Sequence, residues 1–267
     1  MADPSNLCCP AAIFLAGMIA MANGINSYLI AQKIRNTPTS KAHSAAIGLA
    51  EFSGTALGDE EIYSPISKVK CAYWAIDAYY YRRGKNGGWR YIYRAKSDST
   101  FYLKDETGKI LVDSKDAEME IPIDKTFIGY IEGKGMFGVP HAQMDDLVLK
   151  FIETLSPSDK SKIMAYKNQE VKVCETYVAE GDPLYVLGSV ESVPGATSAI
   201  GSESLIVKKG KHDGTFYISD KTEKDVLANK SGGSVMVSLA IGLGMAAIGV
   251  LLLAYMIMDL GALMKLS

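Results

Sequence analysis

A long stretch without charge near the end of the chain constrains the fold most. Between Lys230 and Lys265 the only charged residue is Asp259, and the run Val235–Met258 has 24 residues without one. At about 1.5 Å of rise per residue, a helix of this length crosses a hydrocarbon core about 30 Å thick. We therefore predict a transmembrane helix over 235–258, followed by a short tail over 259–267.

A second uncharged stretch lies between Asp3 and Lys33. Its apolar run, 10–32, is interrupted by polar residues, and a cleaved signal peptide is the alternative interpretation. However, no Lys or Arg precedes the run to form a positive n-region, and apolar residues continue beyond the polar ones. We therefore predict a retained transmembrane helix over 10–32.

Polar and small residues in the two runs indicate helix packing. Asn23 and Asn26 lie three residues apart, on one face of a helix, which favours interhelical hydrogen bonding or a position near the interface; an intramembrane polar site is the alternative. Gly242 and Ala246 are small residues at four-residue spacing, which lets helix backbones approach closely. The first run offers Ala12, Ala16 and Ala20 at the same spacing. Oligomerisation explains these residues as well as packing within one chain does.

The basic residues that flank the two runs predict the orientation. Six lie on the inner sides of the runs, against Lys265 alone on the terminal side: Lys33, Arg35, Lys41, Lys221, Lys224 and Lys230. Because Lys and Arg accumulate on the cytoplasmic side, we expect a two-pass protein of the cell membrane with its middle segment in the cytoplasm.

The middle segment, 33–230, has the composition of a folded soluble domain. It holds 27 of the 28 Lys and Arg residues and 28 of the 30 Asp and Glu residues, so it is nearly neutral. This balance lacks the basic footprint of a nucleic-acid-binding protein. The segment also holds 13 of the 15 tyrosines and both tryptophans, a composition that favours strands.

Turn residues and alternating apolar residues divide this segment into elements. We predict helices over 38–46 and 144–155, with another beginning at Asp220. We predict strands over 48–57, 70–83, 89–95, 101–103, 109–113, 170–178, 183–191, 204–208 and 215–219. The fold class is thus α+β, in which two transmembrane helices flank a β-rich soluble domain of antiparallel hairpins with a few short helices.

The strand that begins at Lys70 is unusually aromatic. Alternate side chains of a strand lie on one face, so Tyr73, Tyr79 and Tyr81 share one face. The opposite face has Trp74, Ile76 and Tyr80. One face must pack in the core, and an aromatic face left in water suits binding. We therefore predict Tyr73, Tyr79 and Tyr81 as a candidate interaction surface.

The chain offers little for catalysis. The segment 133–138 matches G-x-G-x-x-G, but Pro140 and His141 follow before any helical periodicity, which favours a loop over a dinucleotide site. His141 with Asp145 and Asp146 fits a solvated helix start better than a metal site. We predict no catalytic residue, no cofactor and no metal.

The four cysteines do not form a C-x-x-C pair. Cys71 and Cys174 are most simply core residues, and a disulfide between them would require an oxidising compartment. Cys8 and Cys9 lie beside the first predicted helix. The simpler interpretation is that this pair has no functional role, and attachment of a lipid is the alternative.

Several segments, taken in order, resemble the GIDE ("beside a membrane") domain. They are 35–41 (RNTPTSK), 48–51 with Gly54, Ser64-Pro65, 71–74 (CAYW), 101–113 (FYLKDETGKILVD) and 181–188 (GDPLYVLG). The resemblance implies two membrane helices around a β-rich domain. In the mitochondrial ubiquitin ligases of the MULAN type a RING finger follows the second helix. Here the residues after Met258 include no Cys or His, and a RING needs about eight such ligands.

The resemblance is therefore to RING-less prokaryotic relatives, and no catalytic residue is carried over. In the mitochondrial members the domain faces the intermembrane space, which corresponds to the outside of a prokaryotic cell. This orientation disagrees with the cytoplasmic side that the flanking basic residues predict. We expect a non-enzymatic scaffold whose partners are the lipid bilayer, an unknown protein and a second copy of the chain, but not nucleic acid. The alternatives are a component of ubiquitin-like modification and, from another class, a membrane-bound hydrolase or nucleotide enzyme.

Overall fold

The computed structural model describes the residues 5–58, 61–132, 142–193, 204–211, 214–222, 224–226 and 233–265. The chain forms two compact units: one contains Met1–Pro38 and Glu223–Ser267, and the other is Thr39–Thr222. The fold is mixed α+β, with an apolar helix near each end and a β-rich region between them. This confirms the predicted fold class.

The first unit is a pair of long helices, α1 (Ser5–Asn36) and α4 (Gly233–Lys265). Each contains a span that is long and apolar enough to cross a membrane, Cys9–Asn36 and Val235–Tyr255. The last turn of α1 is closed by the hydroxyl of Thr37, which donates to the carbonyl of Lys33 at 2.8 Å.

The two helices run antiparallel and approach closely at glycines. A Cβ added at Gly17 would lie 2.6 Å from the backbone nitrogen of Ala246, and one added at Gly24 would lie 2.8 Å from Cδ2 of Leu239. At the other end, a Cβ at Gly249 would meet the Cβ of Phe14 at 2.8 Å. The contact therefore depends on residues without side chains, as membrane helix pairs often do.

The second unit contains a seven-stranded sheet that closes on itself. Its strands are β1 (Gly48–Gly58), β5 (Thr100–Lys104), β6 (Lys109–Asp113), β7 (Glu118–Glu120), β10 (Pro183–Ser192), β11 (Leu205–Lys208) and β12 (Tyr217–Ser219). β1 pairs with β5 and β10, and the pairings β5–β6, β6–β11 and β11–β10 complete a ring of five strands. Inward-facing apolar residues such as Phe52, Phe101 and Val186 fill this ring.

The same unit contains a five-stranded sheet packed on helices. Its strands are β2 (Ile62–Tyr63), β3 (Lys70–Arg82), β4 (Gly88–Lys96), β8 (Lys125–Gly129) and β9 (Val171–Ala179), with β3 between β4 and β9. Helices α2 (Asp146–Thr154) and α3 (Pro157–Met164) contribute Val148, Ile152 and Ile163 to the core beside this sheet.

Two buried carboxylates hold loops against the sheets. Glu175, with no exposed surface, accepts hydrogen bonds from the amide of Ile66 at 2.8 Å and from the amide and hydroxyl of Ser67. Glu51, 1% exposed, accepts from the hydroxyls of Thr39 at 2.6 Å and Tyr185 at 2.7 Å. Because buried charges are tolerated only when hydrogen-bonded, these residues have a structural role.

The element predictions fail for two helical segments and for three short strands. The helix expected over 38–46 is a single 3₁₀ turn, Ala42–Ser44, and Thr39 instead bridges to Glu51 of β1. Helix α3 follows the predicted helix 144–155 without having been expected: Ser156 accepts from the amide of Asp159, and Pro157, which commonly ends a helix, instead occupies the first turn. The strands β2, β7 and β8 are also absent from the predicted elements. The helix expected from Asp220 lies partly outside the described residues.

Candidate interaction surface

The five-stranded sheet has one face on the helices and one face away from them. On β3, Ile76 and Ala78 lie in the core beside α2 and α3, with Trp74 packed against it. Tyr80 is on the same side and stacks on Tyr166, with ring centroids 4.0 Å apart. The opposite side of β3 therefore presents Tyr79 and Tyr81 away from this core.

Neighbouring strands extend this opposite side into an aromatic surface. Tyr79 is in register with Lys172 of β9 and Tyr91 of β4, and Lys172 is in register with Ile128 of β8. Residues in register share a face. We call this surface the outer face; its members are Tyr79, Tyr81, Trp89, Tyr91, Ile128 and Lys172.

Ring contacts organise the outer face. The rings of Tyr79 and Tyr91 meet edge-on with centroids 6.1 Å apart, and those of Tyr81 and Trp89 do so at 5.3 Å. The ammonium of Lys172 lies 4.9 Å from the ring centroids of both Tyr79 and Trp89, a cation–π geometry. Burial raises the pKa of the Tyr79 hydroxyl, with a further contribution from Asp77, so this phenol stays neutral at physiological pH.

The outer face is open to solvent. Tyr91 is 60% exposed and Ile128 is 49% exposed, while the other aromatic members are half-buried. Next to it, Asp77 and Arg94 form a two-bond ion pair, with Nε–Oδ1 at 2.6 Å and Nη2–Oδ2 at 2.8 Å. Exposed aromatic rings beside satisfied charges are typical of surfaces that bind other molecules.

A β-bulge explains why the sequence did not reveal Tyr91. The register between β3 and β4 shifts between Ala78 and Tyr79. Tyr91 is therefore beside Tyr79 on the outer face, whereas Ile92 and Tyr93 both pack against the core beside α2 and α3. Strict alternation along β4 would have assigned Tyr93 to the face of Tyr91.

Tyr73 corrects the predicted surface. It is only 4% exposed and lies in the core of the seven-stranded sheet, and burial raises the pKa of its hydroxyl. β3 is long enough that its first part is covered by that core and only its later part is open. The predicted set is thus divided: Tyr79 and Tyr81 lie on the outer face and Tyr73 does not.

Of the four residues predicted to pack the two helices together, two lie at the helix contact and two do not. Gly242 and Ala246 lie against α1, since a Cβ at Gly242 would meet the backbone nitrogen of Met21 at 2.9 Å. Asn23 and Asn26 are exposed, and Gly24 between them faces α4 instead. This differs from the expectation that the two amides bond across the helix pair. On α1, the contact uses Gly17 and Gly24 rather than Ala12 or Ala16, which are exposed.

A cleft of about 200 Å³ brings three carboxylates together: Asp124, Asp182 and Asp220. Two of them hold backbone amides, since Asp124 accepts from Tyr177 at 2.8 Å and Asp182 from Ala179 at 2.7 Å. Burial raises the pKa of Asp124 despite the bond from Tyr177, and the other carboxylates add to the rise. In the described ranges, no three His, Cys, Asp or Glu residues form a group that could hold a metal ion.

The two buried cysteines are too far apart to pair. Cys174 is opposite Asp77, which is six residues from Cys71 along β3, or about 20 Å at roughly 3.3 Å per residue. A disulfide requires Cα atoms within about 7 Å. Burial, with Glu175 nearby, raises the pKa of Cys71 to about 11, so its thiol is unreactive. The glycine motif at 133–138, His141 and the side chain of Cys8 lie outside the described residues.

Comparison with known proteins identifies the family of this chain. The family model GIDE, described as E3 ubiquitin ligase, matches residues 78–253, from the middle of β3 into α4. The match covers more than half of the chain. The chain belongs to the GIDE family. No match was found among curated proteins or among solved structures. The GIDE match includes all six members of the outer face and most of the second apolar span.

Proposed function

We propose that this GIDE-family protein is a membrane-anchored, non-enzymatic interaction protein whose outer face binds a partner protein. The observation that carries the proposal is the open aromatic surface centred on Tyr79 and Tyr91. Aromatic side chains lose little conformational entropy on binding and dominate the energetics of protein interfaces.

The anchoring part of the proposal rests on α1 and α4. Two antiparallel helices with apolar spans of 28 and 21 residues match the thickness of a hydrocarbon core. In the proposed arrangement both ends of the β-rich unit are tethered to a cell membrane. The six flanking basic residues favour the cytoplasmic side for this unit.

Removal of one aromatic ring from the outer face tests the interaction. Tyr91→Ser removes the most exposed ring of the outer face. In chemically cross-linked membranes we expect it to reduce the yield of a discrete product, formed by this chain and a second protein, at least about fivefold. That factor corresponds to a loss of about 1 kcal/mol of binding free energy. Tyr63→Ser is the matched control, because Tyr63 is an exposed tyrosine outside the outer face. Equal yields from wild type and Tyr91→Ser would contradict the proposal.

The family description favours a second candidate, a component of ubiquitin-like protein modification. Its support is the match to a model described as E3 ubiquitin ligase, which is an inference from family and not from a site. Discharge of ubiquitin from a loaded conjugating enzyme tests it. Acceleration by this chain alone would replace the non-enzymatic proposal with the second candidate.

A further inference from the structure

The β3–β4 hairpin concentrates positive charge. Residues 82–96 include six Lys and Arg residues and no Asp or Glu, although the segment 33–230 as a whole is balanced. β9, beside the hairpin, adds Lys172, with Glu170 just before it. The hairpin is therefore a local basic surface on a nearly neutral domain.

Three cations near the turn are exposed, whereas Arg83 donates to the hydroxyl of Tyr130 at 2.9 Å. Further from the turn, Arg94 pairs with Asp77 and Lys96 donates to the carbonyl of Lys115. Arg82, Lys85 and Arg90 are exposed and, within the described part of the chain, make no ion pair. We call residues 81–90 the hairpin tip.

The hairpin tip has a defined shape and an aromatic base. Gly84 and Gly88 have φ angles of 122° and 148°, which only glycine adopts readily, and the amide of Gly87 donates to the carbonyl of Gly84 at 2.9 Å. At its base, the indole of Trp89 lies edge-on to Tyr81 and beneath the ammonium of Lys172. Lys172 thus lies directly beside Trp89, whereas Arg90, in register with Tyr80, is on the opposite side of the hairpin.

We propose that the hairpin tip contacts the anionic headgroups of the membrane in which α1 and α4 are anchored. Arg and Lys are attracted to anionic lipid phosphates, and Trp and Tyr favour the membrane–water interface because each has an apolar ring and a polar atom. The anchors hold the domain at the bilayer, so a contact that would be weak for a free domain is enhanced by its high effective concentration.

Tethering, not charge, favours lipid over the other anionic partners. A nucleic acid or an acidic protein segment would also attract Arg82, Lys85 and Arg90, but neither is held beside the domain by the chain itself. The proposal goes beyond the proposed function, because it concerns the tip and not the centre of the outer face. The test below works for either orientation of the protein in the membrane, since both leaflets of the test vesicle have the same composition.

Tryptophan fluorescence gives a direct test with the full chain. The protein has two tryptophans, so Trp74→Phe leaves Trp89 as the sole emitter. This variant is reconstituted into vesicles of brominated phosphatidylcholine, with and without phosphatidylglycerol and without any partner protein. We expect quenching of Trp89 to rise at least about twofold with phosphatidylglycerol and to fall as salt screens the charges.

Matched charge variants locate the contact. Arg82→Gln/Lys85→Gln/Arg90→Gln should reduce quenching to the level in phosphatidylcholine alone. Lys104→Gln/Lys115→Gln/Lys150→Gln removes three exposed positive charges outside the hairpin and should leave quenching unchanged. Equal thermal unfolding of the two triple variants excludes misfolding as the cause.

Three outcomes would overturn the lipid contact. They are no quenching in either lipid, equal quenching with and without phosphatidylglycerol, or equal effects of the two triple variants. If acidic peptide or RNA added to the vesicles abolished the quenching of Trp89, the tip would be a site for that ligand instead. Loss of the lipid contact with cross-linking through Tyr91 retained would leave the proposed function intact.

Discussion

At the residue scale, burial determines the role of each tyrosine on β3. Tyr73 and Tyr79 are on the same side of one strand, but Tyr73 lies in the core of the seven-stranded sheet and Tyr79 on the outer face. Alternation along the sequence predicts the shared side. It does not predict which part of a long strand a second sheet covers, because that depends on contacts distant in sequence.

This difference predicts opposite consequences for two similar substitutions. Tyr73→Ala should lower the free energy of unfolding by about 3 to 5 kcal/mol, as removal of a buried ring does. Tyr79→Ala should lower it by less than about 1 kcal/mol, as expected for a partly exposed residue. Thermal or denaturant unfolding in one detergent compares them; similar losses would contradict the burial assigned to Tyr73.

The carboxylate of Asp124 predicts a pH dependence. Its pKa is raised in the folded protein by burial and by neighbouring carboxylates. A raised pKa favours the protonated acid, so its stabilising contribution is present below the unfolded pKa of about 3.9 and is lost as pH rises through the folded value. At pH 7 the ionised group is therefore unfavourable.

Asp124→Asn should stabilise the protein at pH 7 and keep an oxygen for the amide of Tyr177. We expect a gain of less than about 1 kcal/mol, because solvent screens this partly exposed group, and no gain below pH of about 4. Unfolding measured across this range provides the check, with exposed Asp116→Asn as the control. A gain independent of pH would show that ionisation of Asp124 is not responsible.

At the scale of elements, local signals fixed most strands, and tertiary contacts fixed the rest. The hairpins β3–β4 and β5–β6 were predicted from alternation and turn residues close in sequence. The sequence does not predict β7, because this strand has only three residues and pairs in parallel with β12, which is distant in sequence. Tyr91 and Lys172 of the outer face were missed for a similar reason, since a bulge and a strand register bring them beside Tyr79.

The helix pair predicts a position-specific effect of bulk. Gly242→Ile should destabilise the α1–α4 contact by more than about 1 kcal/mol, because its Cβ would meet the backbone of Met21 at 2.9 Å and there is little room to adjust. Gly244→Ile, on the same helix with nothing within 4 Å of the added Cβ, should be nearly neutral. Cross-linking of cysteine pairs placed on α1 and α4 would compare them, and equal effects would contradict the packing.

The exposed amides of α1 predict self-association. Asn23 lies near the middle of the span Cys9–Asn36, and neither it nor Asn26 faces α4. Because amides at membrane depth are costly without a partner, we expect them to bond to a second copy, each bond contributing about 0.6 kcal/mol. Asn23→Leu/Asn26→Leu should reduce energy transfer between labelled copies in bilayers, while Leu29→Ala should not. Unchanged transfer in the double variant would contradict this role.

At the scale of the whole molecule, two apolar helices and a GIDE-family β-rich unit with an open aromatic face together support a membrane-anchored interaction protein. The two apolar helices were evident from the distribution of charge alone. The family was evident from short segments in a fixed order. The surface required the register of four strands, which no local pattern encodes.

A photo-reactive amino acid at position 91, in place of Tyr91, tests this combination most directly. After irradiation of intact cells, we expect a discrete heavier product that stays in membranes washed with alkaline carbonate, and none from the same probe at Tyr63. Recovery of the chain in the soluble fraction, or products of equal yield from both positions, would contradict the proposal.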